Sequence, residues 1–233
     1  MPRNTAVIFD LDGTITRRDT YAAFLLGFLR RYPHRALRSV WLPAAALLYM
    51  LGFRDNAWLK QTFLRSIAGG ATELEVSNYT KEFVARLIKT GVRPGALRAI
   101  REHRAKGHHL ILVTASFDFY VRELADQLGI ESLICTRAMW DGAGKLNGKI
   151  NGHNCYGAEK LKQLVSHFGD QRHHWHLIGY ADHHSDSELL DWVDRAVAVN
   201  PTRKLKAAIV AKGYATEDWN HPHAGQLFRS AVN

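Results

Sequence analysis

The chain of 233 residues has few cysteines, no leader-like start and no apolar run long enough to cross a bilayer. Its two cysteines, Cys135 and Cys155, are too few for a disulfide scaffold and lack metal-site spacing, so we expect a reducing cytoplasmic compartment. A pairing between the two stays open. Residues 1–5 lead directly into an apolar run, which leaves no room for a secretory leader. The longest apolar stretch, residues 40–53, falls short of the roughly 20 residues that span a membrane.

Acidic residues are also scarce, since 22 Asp and Glu face 31 Lys and Arg for a net charge of +9. This balance favours an anionic partner but does not distinguish nucleic acid, anionic lipid and phosphorylated substrate. Six arginines fall within residues 17–38, directly before the apolar stretch 40–53, which Pro43 interrupts. Two interpretations of the stretch follow: a helix of the core or of a cap, or an interfacial segment that contacts an anionic membrane surface.

Apolar runs and helical periodicity alternate along the chain, whose 46% hydrophobic content is that of a globular protein. The segment 20–90 has helical spacing and no strand signal. Around it the pattern predicts strands at residues 6–9, 110–113, 132–135, 175–180 and 195–199, helices at 96–106, 118–128, 158–168 and 187–192, and a turn-rich hairpin region at 142–152. This alternation indicates an α/β fold with a doubly wound, mostly parallel sheet and helices on both faces.

Three of the predicted strands end in polar segments: residues 10–14 (DLDGT), 114–116 (TAS) and 181–186 (ADHHSD). Ligands of doubly wound sheets bind at the carboxyl ends of the strands, so we expect these segments to form one site. Asp10 and Asp12 share a direction because side chains alternate along a strand. Two like charges at the end of a buried strand are costly unless a cation offsets them, so we expect a cation there. The alternative is an ordinary surface turn.

Four segments resemble the motifs of the haloacid dehalogenase superfamily of phosphohydrolases, in its phosphoserine-phosphatase-like subfamily IB. They are residues 9–14 (FDLDGT), 113–116 (VTAS), 154–160 (NCYGAEK) and 182–186 (DHHSD), and the resemblance covers nearly the whole chain. It implies a Rossmann-like core formed by residues 1–16 and 92–233. It also implies a small inserted α-helical cap of the C1 type, formed by residues 17–91.

The resemblance assigns roles to the acidic residues. Asp10 is expected to attack phosphorus and form an aspartyl-phosphate, while Asp12 serves as the general acid and base. A magnesium ion is expected on Asp10, Asp182 and the backbone carbonyl of Asp12, because Mg²⁺ prefers oxygen ligands and keeps several waters. Asp186 matches the second acid of the fourth motif, which orients metal-bound water or the motif lysine.

Phosphate binding is expected from the Thr114 hydroxyl, the backbone near Ala115, and Lys160, whose ammonium suits phosphate as a point charge. Here the chain departs from the subfamily pattern, since Ala115 and Ser116 replace the small glycines of the second motif. The thirteen histidines show no metal-site pattern, although His183 and His184 are expected beside the metal-binding loop.

The positions that set substrate specificity in this subfamily correspond to Asp19 and Lys60. These residues have the same charge as the residues expected there, but their side chains differ in length. The predicted substrate is a small phosphorylated metabolite, such as the amino-alcohol phosphates histidinol phosphate or phosphoserine. One alternative is a phosphatidylglycerophosphate-type lipid phosphatase at the membrane surface. Another, of a different class, is a catalytically silent basic binding module. The retained nucleophile argues against that module and against nucleic acid as the partner, and the oligomeric state stays open.

Overall fold

The computed structural model describes residues 4–221, which are arranged around one seven-stranded sheet. The ends of the predicted core, residues 1–3 and 222–233, lie outside the described residues. The strands are β1 (Asn4–Phe9), β2 (His109–Phe117), β3 (Ser132–Trp140), β4 (Leu146–Asn151), β5 (Trp175–Ala181), β6 (Arg195–Val199) and β7 (Ala215–Glu217). Their order is β4-β3-β2-β1-β5-β6-β7, and only the β3–β4 pair is antiparallel. This confirms the predicted α/β fold with a mostly parallel sheet.

The alternation of side chains along β1 explains why both faces of the sheet are covered. Val7 and Phe9 belong to one buried apolar cluster, whereas Ala6 and Ile8 belong to a second cluster. Every one of these four side chains is fully buried. A strand that is apolar on both faces needs helices on both faces, which is the arrangement of a doubly wound sheet.

Nine α-helices occur within residues 4–221. They are α1 (Thr20–Arg31), α2 (Leu42–Met50), α3 (Asn56–Ile67), α4 (Glu73–Thr90), α5 (Pro94–Ala105), α6 (Asp118–Leu128), α7 (Ala158–Phe168), α8 (Ser187–Trp192) and α9 (Arg203–Lys212). Local caps divide the predicted helical segment 20–90: Asp19 caps α1, Asp55 caps α3, and Thr72 begins α4 in a capping box with Glu75. Helices α1–α4 therefore lie between β1 and β2 in the chain.

The apolar stretch 40–53 contains α2, a helix as the first of its two interpretations expects. Pro43 stands in the first turn of α2 and begins the helix instead of interrupting it. Only Leu42 and Ala45 of this helix are buried, and most of the large apolar side chains that follow are exposed. Because the stretch is apolar on all sides, one face can pack on α3 while the others face outward. No helix within residues 4–221 is both long and apolar enough to cross a membrane.

The carboxyl end of β2 extends beyond the predicted residue 113 to Phe117, and a register shift between Thr114 and Phe117 interrupts its pairing with β3. This bulge displaces the intervening residues toward the edge of the sheet where β1 and β5 also end. The predicted hairpin region contains β4, which pairs with β3. Cys135 and Cys155 are both free thiols, so the pairing that the sequence left open is absent.

Candidate active site

All nine side chains predicted for catalysis, phosphate binding, metal binding and specificity line one cleft of about 150 Å³. They are Asp10, Asp12, Asp19, Lys60, Thr114, Ala115, Lys160, Asp182 and Asp186. The cleft lies at the carboxyl ends of β1, β2 and β5, where the topology of a doubly wound sheet locates ligands. The structure therefore brings these residues together, and their roles remain predictions.

Asp10 is a buried carboxylate held through both of its oxygens. Oδ1 accepts a hydrogen bond from Nζ of Lys160 at 2.6 Å, and Oδ2 accepts one from the Thr14 hydroxyl at 2.9 Å. The same ammonium also lies 2.9 Å from Oδ1 and 3.0 Å from Oδ2 of Asp186. Burial disfavours the charged form of Lys160, but the two carboxylates outweigh it and raise the pKa of the ammonium. The lysine is therefore a fixed positive charge at neutral pH.

Asp12 is held independently of that cluster. Its Oδ1 accepts a hydrogen bond from the backbone N–H of Thr20 at 2.6 Å, and its Oδ2 accepts one from the Ser116 hydroxyl at 2.6 Å. Burial, together with the negative charge of Asp19, raises the pKa of Asp12 to about 6, although the two hydrogen bonds oppose the shift. A carboxyl group with this pKa can both give and take a proton near neutral pH.

Asp182 lies close to the loop that follows β1. Burial and the nearby carboxylates of Asp10 and Asp186 raise its pKa to about 7. The Thr14 hydroxyl shares its single proton between Asp10 and Asp182, and its oxygen lies 3.3 Å from Oδ1 of Asp182. The loop approaches this closely because Gly13 has a φ of +88° and no side chain, and a Cβ there would lie 2.3 Å from Oδ2 of Asp182. The glycine of the first motif thus makes room for the carboxylate of the fourth.

The donor set at this edge fits a magnesium ion. Within residues 4–221, no three side chains of the His, Cys, Asp or Glu type form a metal-ligand group. Mg²⁺ commonly takes only one or two carboxylates and completes its shell with water and substrate phosphate. Asp10 and Asp182 supply two such carboxylates. Burial is the main cause of the raised pKa of Asp182, and the repulsion from neighbouring carboxylates that adds to it is what a cation would relieve.

The predicted specificity residues contact the second motif and the start of α1. Lys60 donates from Nζ to the Ala115 carbonyl at 2.5 Å and to Oδ1 of Asn154 at 3.2 Å. Burial lowers the pKa of Lys60 to about 8, against the opposing charges of Asp12 and Asp19. Asp19 caps α1 by accepting the N–H of Ala22 at 2.6 Å. Both charged groups border the cleft, as the sequence predicts.

The sequence did not predict the supporting hydrogen bonds around the second and third motifs. The sequence shows Ser116 only as a replacement for a glycine of the second motif. In the structure its hydroxyl donates to Asp12, and its backbone N–H donates to the Thr114 hydroxyl at 3.0 Å. Asn154, at the start of the third motif, accepts from Lys60 and donates to Asn56 at 3.1 Å. No pattern in the sequence pointed to this link, because it joins segments almost a hundred residues apart.

The fold and the cleft agree with comparisons against known proteins. The sequence model of the haloacid dehalogenase-like hydrolase family matches residues 7–191, and the chain belongs to this family. Protein CicA of Caulobacter vibrioides is 34% identical over 189 residues, which cover 81% of this chain and 82% of CicA. The probable phosphatase Rv3661 of Mycobacterium tuberculosis is 26% identical over 228 residues, 94% of this chain and 76% of that protein.

Solved structures extend the likeness to the whole fold. A Bordetella pertussis protein of unknown function superposes with a TM-score of 0.79 at 25% identity, covering 93% of this chain and 98% of that one. A phosphoserine phosphatase with a phospho-aspartyl intermediate analogue superposes with a TM-score of 0.60 at 16% identity, covering 94% of each chain. The predicted family, its phosphoserine-phosphatase-like fold and the enzyme class, a phosphatase, are thereby confirmed.

Proposed function

We propose that this phosphatase is a magnesium-dependent phosphomonoester hydrolase that works through an aspartyl-phosphate on Asp10. The observation that carries the proposal is the separate support of two neighbouring carboxyl groups. Asp10 is fixed by the permanent charge of Lys160 and by Thr14, as a nucleophile requires. Asp12 has its own hydrogen bonds and a pKa of about 6, as a proton carrier requires.

Asp10 and Asp12 act in both half-reactions, and Asp12 is the acid in the first and the base in the second. In the first, an oxygen of Asp10 attacks phosphorus, the bond from phosphorus to the alcohol oxygen breaks, and Asp12 gives that oxygen its proton. In the second, Asp12 takes a proton from water as the water oxygen attacks phosphorus, the bond to Asp10 breaks, and inorganic phosphate leaves. The proton carrier is thereby restored, and no further reactant is needed.

Asp10, Asp182 and the backbone carbonyl of Asp12 would hold the magnesium ion, which when bound neutralises phosphoryl oxygens and orients the substrate. Lys160 holds Asp10 through its 2.6 Å hydrogen bond and adjoins the position of the phosphoryl group. Asp186 keeps Lys160 in place through its 2.9 Å ion pair. The Thr114 hydroxyl and the backbone near Ala115 are the further phosphate contacts that we propose.

The proposed substrate is a small phosphorylated metabolite, with amino-alcohol phosphates such as histidinol phosphate or phosphoserine as the first examples. Residues 17–91, which include helices α1–α4, would form the cap, and residues 1–16 and 92–233 the core. In support, Asp19 at the start of α1 and Lys60 on α3 border the cleft with opposite charges. An acidic and a basic group at this rim suit a leaving group that bears an amine and an anionic or carbonyl group.

A second candidate is a lipid phosphatase at an anionic membrane surface, favoured by the exposed apolar residues around α2. Met50, Leu51 and Phe53 are each at least 60% exposed, and Arg54 and Arg38 are exposed beside this apolar region. Apolar side chains among cations suit an anionic interface. Co-sedimentation with anionic vesicles tests this candidate, because absence of binding would remove its support.

Hydrolysis of p-nitrophenyl phosphate with and without Mg²⁺ tests the proposed mechanism. We expect turnover only with the metal, loss of turnover in Asp10→Asn, and an acid-stable phosphoryl group on the peptide that contains Asp10. Asp170→Asn is the matched control, because Asp170 is exposed and does not line the cleft. Equal metal-dependent rates in wild type and Asp10→Asn would contradict the nucleophile assignment. No turnover in either would instead favour the silent binding module.

A further inference from the structure

A second cleft, of about 330 Å³, opens between helices α1 and α3 beside the catalytic cleft. We call it the α1–α3 cleft. Leu25, Leu26 and Leu29 of α1 line one side, and Leu59, Phe63 and Ile67 of α3 line the other. Its volume falls within the roughly 300–1,000 Å³ of small-molecule sites, and its walls are apolar as such sites usually are.

The two clefts adjoin each other. Four residues line both of them: Asp19, Tyr21, Asn56 and Lys60. Tyr21 is fixed at this junction because its hydroxyl donates a 2.7 Å hydrogen bond to the Lys60 carbonyl, which ties α1 to α3. The polar groups are therefore gathered where the clefts meet, and the apolar walls extend away from the proposed nucleophile.

The small volume of the catalytic cleft directs a substrate toward the α1–α3 cleft. At about 150 Å³ it has less than half the volume of the α1–α3 cleft, at about 330 Å³, and it has to hold the phosphoryl group. The alcohol part of the ester must then extend out of it. The neighbouring space offers apolar contacts on two sides, and burial of apolar surface there stabilises an apolar group and not a charged one.

We propose that the leaving alcohol of the substrate carries an apolar chain or ring, which binds between α1 and α3 in a soluble monoester. The inference rests on the proposed phosphomonoester hydrolysis and names its substrate class. Asp19 and Lys60 then contact the polar part of the alcohol nearest the phosphate, and Leu26, Leu59 and Phe63 contact the apolar part beyond it.

A series of n-alkyl phosphates from propyl to hexyl tests the inference, because their leaving alcohols have nearly the same acidity. We expect kcat/KM to rise with each added methylene that enters the cleft, about twofold where the methylene is half-buried and about fourfold where it is fully buried. The matching n-alkylphosphonates, which are not hydrolysed, should bind more tightly by the same factors in calorimetry. This second measurement reports the binding of the alkyl chain in the α1–α3 cleft without turnover.

The double variant Leu26→Gln/Leu59→Gln should abolish the dependence of kcat/KM on chain length. Leu26 is 48% exposed and Leu59 is half-buried, so neither change empties the core. Leu26→Gln alone, with a partial effect, serves if the double variant does not fold. Leu74→Gln is the matched control, because Leu74 is 70% exposed on α4 outside the cleft. This control should keep the wild-type dependence.

The outcomes separate this inference from the proposed function. Turnover that does not change with chain length, or a dependence that survives the double variant, overturns the inference and leaves phosphomonoester hydrolysis intact. Absence of metal-dependent turnover for every ester overturns the proposed function, and the inference with it. Turnover confined to a phosphomonoester embedded in anionic vesicles contradicts a soluble substrate and favours the membrane-surface candidate.

Discussion

Replacing Ser116 by alanine should raise the pKa of Asp12. The Ser116 hydroxyl donates a 2.6 Å hydrogen bond to Oδ2 of Asp12, while the Thr20 amide holds Oδ1 separately. The pKa of Asp12 is about 6 because burial and Asp19 oppose ionisation more than these hydrogen bonds favour it. A hydrogen bond to a charged group contributes about 1.5–3 kcal/mol, and one pKa unit corresponds to about 1.4 kcal/mol. Loss of the hydroxyl should therefore raise the pKa by about 1–2 units.

The pH dependence of kcat/KM for n-propyl phosphate measures this change. This ester has a poor leaving alcohol, so its cleavage requires the protonated form of Asp12, and kcat/KM should fall as pH rises through the Asp12 pKa. We expect the falling limb to lie about 1–2 pH units higher in Ser116→Ala at constant Mg²⁺. Ser185→Ala is the matched control, because Ser185 lines the same cleft but contacts His183. The reasoning would be refuted if the falling limb of the pH profile stayed in place or moved to lower pH in Ser116→Ala. It would also be refuted if the limb moved equally in both variants.

Two further substitutions test the buried charges and the close approach of the first and fourth motifs. Lys160→Met leaves two buried carboxylates without their cation and should lower the free energy of unfolding, measured in urea, by about 3–5 kcal/mol. The control Lys162→Met changes a side chain that is 71% exposed, and it should alter this free energy by no more than about 0.5 kcal/mol. Equal effects would show that the ion pair does not stabilise the fold. Gly13→Ala places a Cβ 2.3 Å from Asp182 and should lower kcat/KM about 100-fold, because reacting groups tolerate little displacement. Gly107→Ala has a similar left-handed φ of +69° with no atom within 4 Å, so similar losses in both would attribute the effect to backbone strain alone.

The central part of the sheet was predictable because its strands have a strong local signal. The segment around Ile8 is a short apolar run, and such runs are buried on both faces of a parallel sheet. The edge strands lack that signal. Leu146–Asn151 alternates polar and apolar residues within a turn-rich region, and Ala215–Glu217 has only three residues. Each becomes a strand through pairing with a neighbour, which depends on tertiary structure.

The site was predictable at the level of its members and not at the level of its hydrogen bonds. The carboxyl ends of parallel strands meet at one edge, so Asp10 and Asp182 could be grouped from the order of elements alone. The hydrogen-bond partner of Asp12 could not be predicted in this way, because Ser116 lies in the bulge at the end of β2. The position of Lys60 likewise depends on how α3 packs beside the second motif, which residue spacing does not encode.

The charges in the catalytic cleft explain why the acidic pair after β1 needs a cation once a phosphate arrives. Lys160 is already shared between Asp10 and Asp186 at distances of 2.6–3.0 Å, and Lys60 is engaged by the Ala115 carbonyl. Two like unit charges 4 Å apart repel by about 4 kcal/mol at an effective dielectric constant of 20, so a phosphoryl dianion beside one carboxylate meets about twice that. Because the single charge of Lys160 is already shared between Asp10 and Asp186, it cannot offset this repulsion fully. A divalent cation, which Asp10 and Asp182 would hold, would offset this repulsion, and we therefore expect productive substrate binding to depend on the metal.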